Sequence, residues 1–347
     1  MPRRRAQMRA AVCHKPYDLT IEDVDKPEPK HAGEVVVKVK VTGVCGSDVD
    51  GYIGNHPWIK PPIILGHECS GVVDAIGPGV TKFKQGDRVV VEPFFICGKC
   101  PNCMKGRYNM CRDVTVIGHQ VAGSFAEYIL MTERFLHPMP EGLSFEVGAL
   151  AEPVSGALHG TGRCELKIGE LVVVIGCGTI GYFLTQHAVN SGARVLVCEP
   201  VAFKRKAALR VGALWAVDPD KKSVADKVME LTDGIGADCV MEAVGVAETI
   251  KETVALTRKG GRILLMGWSG EKFDEFNCTR MTLDEMTVLG TMGFAFDFPV
   301  TLDLLTRGKV DAASIITHRF TLDQTVEALE TLHEKRDNVW KAAIVFE

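Results

Sequence analysis

The chain has 347 residues, 46% of them hydrophobic and 24% charged, with a formal net charge of −4. That length exceeds one ordinary core and predicts two domains, and basic residues dispersed along an acidic chain argue against a nucleic-acid partner. No apolar run approaches the roughly 20 residues that span a bilayer, and His14, Lys15 and Asp18 interrupt any signal sequence behind the arginines at 3–5, so the expectation is a cytoplasmic protein.

Residues 1–7 read as a loose tail, with Met8 opening the folded part. From there to residue 150 the chain reads as mostly β. "EVVVKVKVTGV" (34–44) alternates apolar and polar residues, "GDRVVVEPF" (86–94) holds a short strand, and "GPGV", "KQGD" and "MPEG" mark turns. This half predicts a partly open barrel with long loops.

Twelve cysteines need a reason, because a reducing compartment argues against a disulfide framework. Cys13, Cys69, Cys164, Cys198, Cys239 and Cys278 stand singly in apolar surroundings and read as inert, buried residues. Cys97, Cys100, Cys103 and Cys111 differ. Their C-x2-C-x2-C-x7-C spacing, bent by Gly98, Pro101 and Gly106, can surround a tetrahedral ion. Zinc is favoured, with iron the chemical alternative. Four thiolates leave no open position, so the loop 94–113 reads as a metal-stapled structural element.

Near residue 165 the rhythm changes. "LVVVIG" (171–176) is a strand buried on both faces, and a helix runs from it to Ser191, stopped by Gly192. "RVLVCE", the helix "AFKRKAALRV" ending before Gly212, "LWAVD", "DCVMEAVG" and "RILLMGW" continue an alternation of strand and helix. That spacing predicts a doubly wound parallel sheet of the Rossmann kind. Gly176, Gly178 and Gly181 form G-x-G-x-x-G between strand and helix, the context in which a pyrophosphate approaches a helix N-terminus. Glu199, closing the next strand, can accept from both ribose hydroxyls and repel a 2′-phosphate, which favours NAD over NADP. Lys204 and Arg205 follow closely and temper that preference. Thr179, Ile180, Lys204, Val244 and Gly267 complete the expected cofactor contacts. After residue 300, "TLDQTVEALETLHEK" is an amphipathic helix and "WKAAIVFE" a last strand, returning to the first domain.

A second set of ligand types is scattered through the first half: Cys45 in "GVCGSD", His67 and Glu68 in "LGHECSG", Glu152 in "LAEPVSGALHG". A thiolate, an imidazole and carboxylates suit a catalytic zinc with an open position, but spacing alone does not join them. Cys45-Gly46-Ser47-Asp48, Gly66-His67-Glu68, the cysteine loop and Gly176-Cys177-Gly178-Thr179-Ile180-Gly181 occur in an order and at intervals that resemble the zinc-containing medium-chain dehydrogenases/reductases, over residues 8–347. Ala151-Glu152-Pro153 resembles the polyol, butanediol and threonine dehydrogenase branch. The resemblance implies a GroES-like domain at 1–155 followed by an NAD-binding Rossmann domain at 156–298, with 299–347 returning to the first. It implies Cys45 and His67 as ligands of a catalytic zinc, with Glu68 and Glu152 as the two carboxylates, one of them a direct ligand. Asp48 orients His67, and Ser47 passes the substrate proton on. The implied cofactors are two zinc ions per subunit and NAD.

The implied activity is reversible oxidation of a secondary alcohol (a diol, polyol or cyclic alcohol) to a ketone, with hydride transfer to NAD. Asp50 stands where many relatives have the histidine that finishes the proton relay, so Asp50, Tyr52 or water takes that place. Phe94-Phe95 replace the histidine that threonine dehydrogenases carry before the cysteine loop, which argues against the alternative of an L-threonine 3-dehydrogenase. Zinc-free enone or quinone reductases lack the Cys45, His67 and Glu68 ligands, and a non-catalytic NAD-binding relative has no need of them. Trp58, Phe94, Phe95 and "GFAFDF" (293–298) are expected along the substrate cleft. "TVLGTMGFAF" (287–296) is expected at the edge of a homodimer or homotetramer.

Overall fold

A computed structural model of the chain describes residues 6–268 and 277–347. The expected tail at 1–7 lies mostly outside these residues, and the described part of it already enters the first strand. The described chain separates into two compact units: Met1–Glu152 with Phe298–Arg307 and Ala312–Glu347, and Pro153–Asp297 with Gly308–Asp311. The division falls at Glu152/Pro153, slightly ahead of the expected boundary after 155.

The first unit opens with β1 (Gln7–Lys15) and β2 (Asp18–Asp25), an antiparallel pair. β3 (Glu34–Val44) is the long strand predicted from alternation, and it carries the register of the unit. There follow α1 (Gly46–Ile53), β4 (Ile63–Ile64), β5 (Glu68–Ile76) and β6 (Arg88–Val91). The cysteine loop lies between β7 (Phe94–Phe95) and β8 (Thr115–Val116), which pair with each other, and holds the single turn α2 (Pro101–Met104). β9 (Tyr128–Thr132), β10 (Leu136–Pro138), α3 (Phe145–Ala149) and α4 (Ala151–Arg163) complete this stretch.

The second unit alternates as its sequence does. β11 (Leu171–Ile175), α5 (Thr179–Asn190), β12 (Arg194–Cys198), α6 (Ala202–Arg210) and β13 (Trp215–Val217) come first. α7 (Val224–Leu231), β14 (Ala237–Glu242), α8 (Ala247–Leu256), β15 (Thr257–Leu265), α9 (Cys278–Leu283) and β16 (Thr287–Gly290) follow. The described strands form one sheet in the order β13-β12-β11-β14-β15-β16, every neighbouring pair parallel. All five residues of β11 are buried, as a central strand covered on both faces requires. β15 begins well ahead of the expected "RILLMGW", taking in Lys259-Gly260-Gly261, and its pairing with β14 shifts register between Ala237 and Cys239. Cys278, expected buried, is exposed on α9, whereas Cys13, Cys69, Cys164, Cys198 and Cys239 are buried.

α10 (Phe298–Thr306), β17 (Ile316–Phe320), α11 (Thr325–His333) and β18 (Lys341–Val345) lie in the first unit. β18 inserts beside β3, giving the sheet order β10-β6-β5-β3-β18-β17, with β9 also on β3. Gly308–Asp311 instead joins the second unit: Tyr182 donates to the Asp311 carboxylate (3.0 Å) and Asp311 N donates to Gln186 Oε1 (2.6 Å). No described helix is long and apolar enough to cross a membrane.

Candidate active site

In the first unit the ligand atoms of Cys45, His67 and Glu68 lie within 4.8 Å of one another. Cys45 ends the turn from β3 into α1, and His67 and Glu68 stand where a loop enters β5. One carboxylate fastens both pieces. Asp48, fully buried, accepts from Cys45 N (2.9 Å) and from Gly66 N (3.0 Å). The same Asp48 lies 3.4 Å from His67 Nδ1, without the alignment of a hydrogen bond. Burial opposes charge on both groups, yet their mutual attraction prevails: Asp48 is held below its usual range and His67 well above its own. A protonated imidazole is no ligand, so a cation binding here displaces that proton.

Glu68 is also paired. Lys341, on β18, places Nζ 2.7 Å from Glu68 Oε1 and 2.6 Å from Oε2, with both side chains almost wholly buried. Burial lowers the Lys341 pKa, but Glu68 and Cys45 overturn this and leave it raised. Gly43, opposite Glu68 in the β3–β5 register, makes room for the pair. A Cβ there would stand 2.1 Å from Glu68 Oε2. Glu152, at the start of α4, is outside the three-ligand group. Its carboxyl is enclosed although the residue as a whole is part-buried. Burial pushes it up to about 7, with Glu68 adding and His67 opposing. A nearby cation would reverse that rise.

Several polar atoms here have no partner. Ser47 Oγ, His67 Nδ1 and both ring nitrogens of His119 are buried and make no hydrogen bond. Each such vacancy costs about 1–3 kcal/mol, and their concentration around one thiolate–imidazole–carboxylate group fits a cation and a polar ligand. His119 packs edge-on to His67, centroids 4.9 Å apart, and also meets His56, at 4.7 Å. Burial, then the charge of His67, pulls the His119 pKa down to about 3. The backbone sets this spacing: a Cβ on Gly118 would lie 2.5 Å from Gly66 O, and one on Gly123 2.3 Å from the same atom.

The four loop cysteines form a second group. Cys100 and Cys103 sulfurs are 3.6 Å apart and Cys97 and Cys111 sulfurs 3.5 Å. A tetrahedron of sulfurs about 2.3 Å from an ion has edges of ~3.8 Å, so the cage is already nearly of that size. Backbone N–H groups of Cys97, Cys100 and Asp113 point at these sulfurs (3.4 Å each). Such donors hold the Cys100 thiol down, to about 6, while burial pushes Cys103 up to about 12.

In the second unit Gly178 caps α5 without a side-chain hydrogen bond, and a Cβ on it would meet nothing within 4 Å. Thr179, Ile180 and Gly181 form the first turn. A Cβ on Gly181 would fall 1.9 Å from Gly176 O, so the loop closes only with glycine. The room beside Gly178 and the uncapped N–H groups fit a pyrophosphate. Glu199 is buried and accepts from Cys177 N (2.7 Å) and Val201 N (2.9 Å), which ties the acid to the glycine loop. Arg205 is engaged with Asp218 (3.0 Å) and with the carbonyls of Glu199 and Pro200 (2.6 Å each). Lys204 lies over the Phe203 ring. Glu242 holds the Val244 loop, accepting from Val244 N, Gly245 N and Thr249 Oγ1 at 2.8 Å each. Gly267 packs so closely on Gly245 that a Cβ would lie 2.2 Å from its nitrogen.

The aromatic residues expected along the cleft are divided between the two units. Phe94 is buried in the β7–β8 pair. Phe95 lines an apolar groove of about 500 Å³ with Met8, Ile64 and Leu130. Phe294 and Phe298 are core residues and Phe296 is exposed. Trp58 lies beside His56, ring centroids 6.2 Å apart. Tyr52 is packed against Tyr17 in the core. The sequence reading missed Lys341, Glu242, His56 and His119. Only His119 left a signal, "IGHQ" repeating the "LGHE" of the ligand loop.

The model of the family "Alcohol dehydrogenase GroES-like domain" matches residues 31–141, and that of "Zinc-binding dehydrogenase" matches 179–307. The chain is 32% identical over 343 residues to the sorbitol dehydrogenase of Bacillus subtilis (strain 168), covering 97% of each. Among solved structures, a zinc-binding dehydrogenase from Sinorhizobium meliloti 1021 bound to NADP superposes with a TM-score of 0.92 at 31% identity, covering 99% of this chain and 100% of that one. The 2R,3R-butanediol dehydrogenase of Bacillus subtilis gives 0.89 at 32%, covering 98% and 100%. Likeness of this extent, across both units, means that the chain belongs to the zinc-containing medium-chain alcohol dehydrogenases, NAD(P)-dependent oxidoreductases of alcohols.

Proposed function

We propose that this enzyme oxidises a secondary alcohol carrying further hydroxyls, a diol or polyol, to the ketone, with NAD taking the hydride. The observation that carries the reading is the Cys45–His67–Glu68 group, its histidine and glutamate buried and its cysteine half-buried, with the unpartnered Ser47 hydroxyl beside it. Cys45 and His67 would hold a zinc ion. Glu152 is the better third ligand, since among the described residues it has no ion pair, whereas Glu68 is committed to Lys341. When bound, that ion supplies a Lewis acid that lowers the pKa of an alcohol or polarises a ketone. Asp48 fixes the His67 ring and takes no part in bond making. Ser47 accepts the proton of the substrate hydroxyl and passes it outward. Asp50, one turn further along α1, is the next acceptor (i, i+3 on one helix face). Glu199 recognises the adenosine ribose, and the engagement of Arg205 by Asp218 leaves it poorly placed to greet a 2′-phosphate, which supports NAD.

The sorbitol and butanediol dehydrogenase relatives support a hydroxyl-rich substrate. The four-cysteine loop, by its closed ligand set, stabilises rather than reacts. The test combines metal analysis with absorbance at 340 nm across a panel of diols, polyols and monoalcohols, with NAD and NADP. Two zinc per chain and faster turnover of diols with NAD are expected. Turnover of none of these alcohols, or a clear NADP preference, refutes the corresponding part.

A further inference from the structure

We infer that His119 is the specificity residue for the second hydroxyl of the substrate, so that the enzyme selects vicinal diols over monoalcohols. The inference rests on the alcohol dehydrogenase reading above and narrows its substrate class.

Both His119 ring nitrogens are buried and unpartnered, although an imidazole always presents at least one donor. The residue is 9% exposed, so solvent does not serve them freely. The ring is held by its neighbours: it packs against both His67 and His56, and Trp58 N donates to His56 Nδ1 (3.2 Å). Gly118, immediately before it, is in main-chain contact with Gly66, immediately before the ligand His67. The unfilled imidazole therefore stands one ring away from the metal group.

A hydroxyl both donates and accepts, and so matches an imidazole edge. A hydroxyl on the carbon next to the reacting one is within reach of a group adjoining a ligand ring. A methyl in the same place would leave the nitrogens unpaired, and sites built around a hydrogen bond reject analogues lacking that group strongly. Lys341 and Asp48 are already engaged within the site, the first by Glu68 and the second by Cys45 N and Gly66 N, whereas neither His119 ring nitrogen has a partner.

The experiment compares 2,3-butanediol with 2-butanol, equal in carbon count and one hydroxyl apart, on zinc-loaded enzyme with NAD. In His119→Leu the ratio of kcat/KM for the diol to that for 2-butanol should fall at least ~10-fold. His119→Asn, which keeps a donor and an acceptor, should restore part of it. Calorimetric titration of the NADH-loaded enzyme with 2,3-butanediol gives a second readout, with Kd weakened about tenfold or more in His119→Leu. An unchanged ratio in both variants, with 2-butanol still oxidised by the parent enzyme, overturns the inference alone. Failure of the parent enzyme to oxidise any alcohol overturns the proposed function and this inference with it.

Discussion

Replacing Lys341 with methionine tests the buried ion pair at the edge of the metal group. Methionine keeps most of the length and apolar contact of the lysine stem but removes its charge. Lys341 Nζ sits 2.6–2.7 Å from both Glu68 oxygens, and the two side chains are 3% and 1% exposed. At an effective dielectric near 20, unit charges at that separation attract by roughly 6 kcal/mol. Part of this offsets the desolvation of both ions, and removal of one partner from such a pair costs about 3–5 kcal/mol because the other charge is left stranded. Lys341→Met, Glu68→Gln and the double variant form a cycle, measured by equilibrium denaturation at pH 7 with zinc content determined for each. The single Lys341→Met variant should lose about 3–5 kcal/mol, and the double variant should recover a substantial part of that loss. The reasoning fails if Lys341→Met stays within ~1 kcal/mol of the parent, or if the double variant merely adds the two single losses.

Cys45→Ser should cut turnover by at least ~1,000-fold while the dissociation constant for NAD, measured by calorimetry, stays within a few-fold. Cys100→Ser should instead halve the zinc content and lower the melting temperature, with NAD affinity retained. Asp48→Asn should weaken zinc binding about 10–100-fold in a competition with a chelating dye, because the ring of His67 loses its orienting charge. His187 gives a pH dependence: burial lowers it from 6.5 to about 4, against a hydrogen bond to the Val154 carbonyl at 3.2 Å. Its folded pKa lies below the unfolded one, so the stability it contributes is full above about 6.5 and is lost as pH falls toward about 4. The loss is roughly 3 kcal/mol, and a His187→Gln variant should flatten the denaturation midpoint across that window.

The parts of this protein that are local in sequence could be read from it. The glycine loop needs only a buried strand before it and a helix after it, and the four cysteines stand within one loop. Cys45, His67 and Glu152 were joined by resemblance, since nothing in their spacing says that a turn, a strand entry and a helix start converge. Lys341 was invisible because its partner is 273 positions away. Its burial depends on β18 inserting beside β3, a pairing that the terminal "WKAAIVFE" does not announce. The surroundings of Phe94 and Phe95 were hidden for a related reason. Hydrophobicity marks them as buried but does not say on which side of a sheet, and Phe94 and Phe95, being adjacent on a strand, point opposite ways.

The contact between Gly66 and Gly118 separates two properties that are usually entangled. The ring that would hold the ion and the ring facing an unmet hydroxyl are spaced by main chain, with no intervening side chain to deform. Exchange of residue 119 for another type should therefore alter what is accepted while the main-chain spacing behind His67 stays in place. New preferences are open to this scaffold by single replacements there, whereas any side chain introduced at 66 or 118 would shift both imidazoles at once.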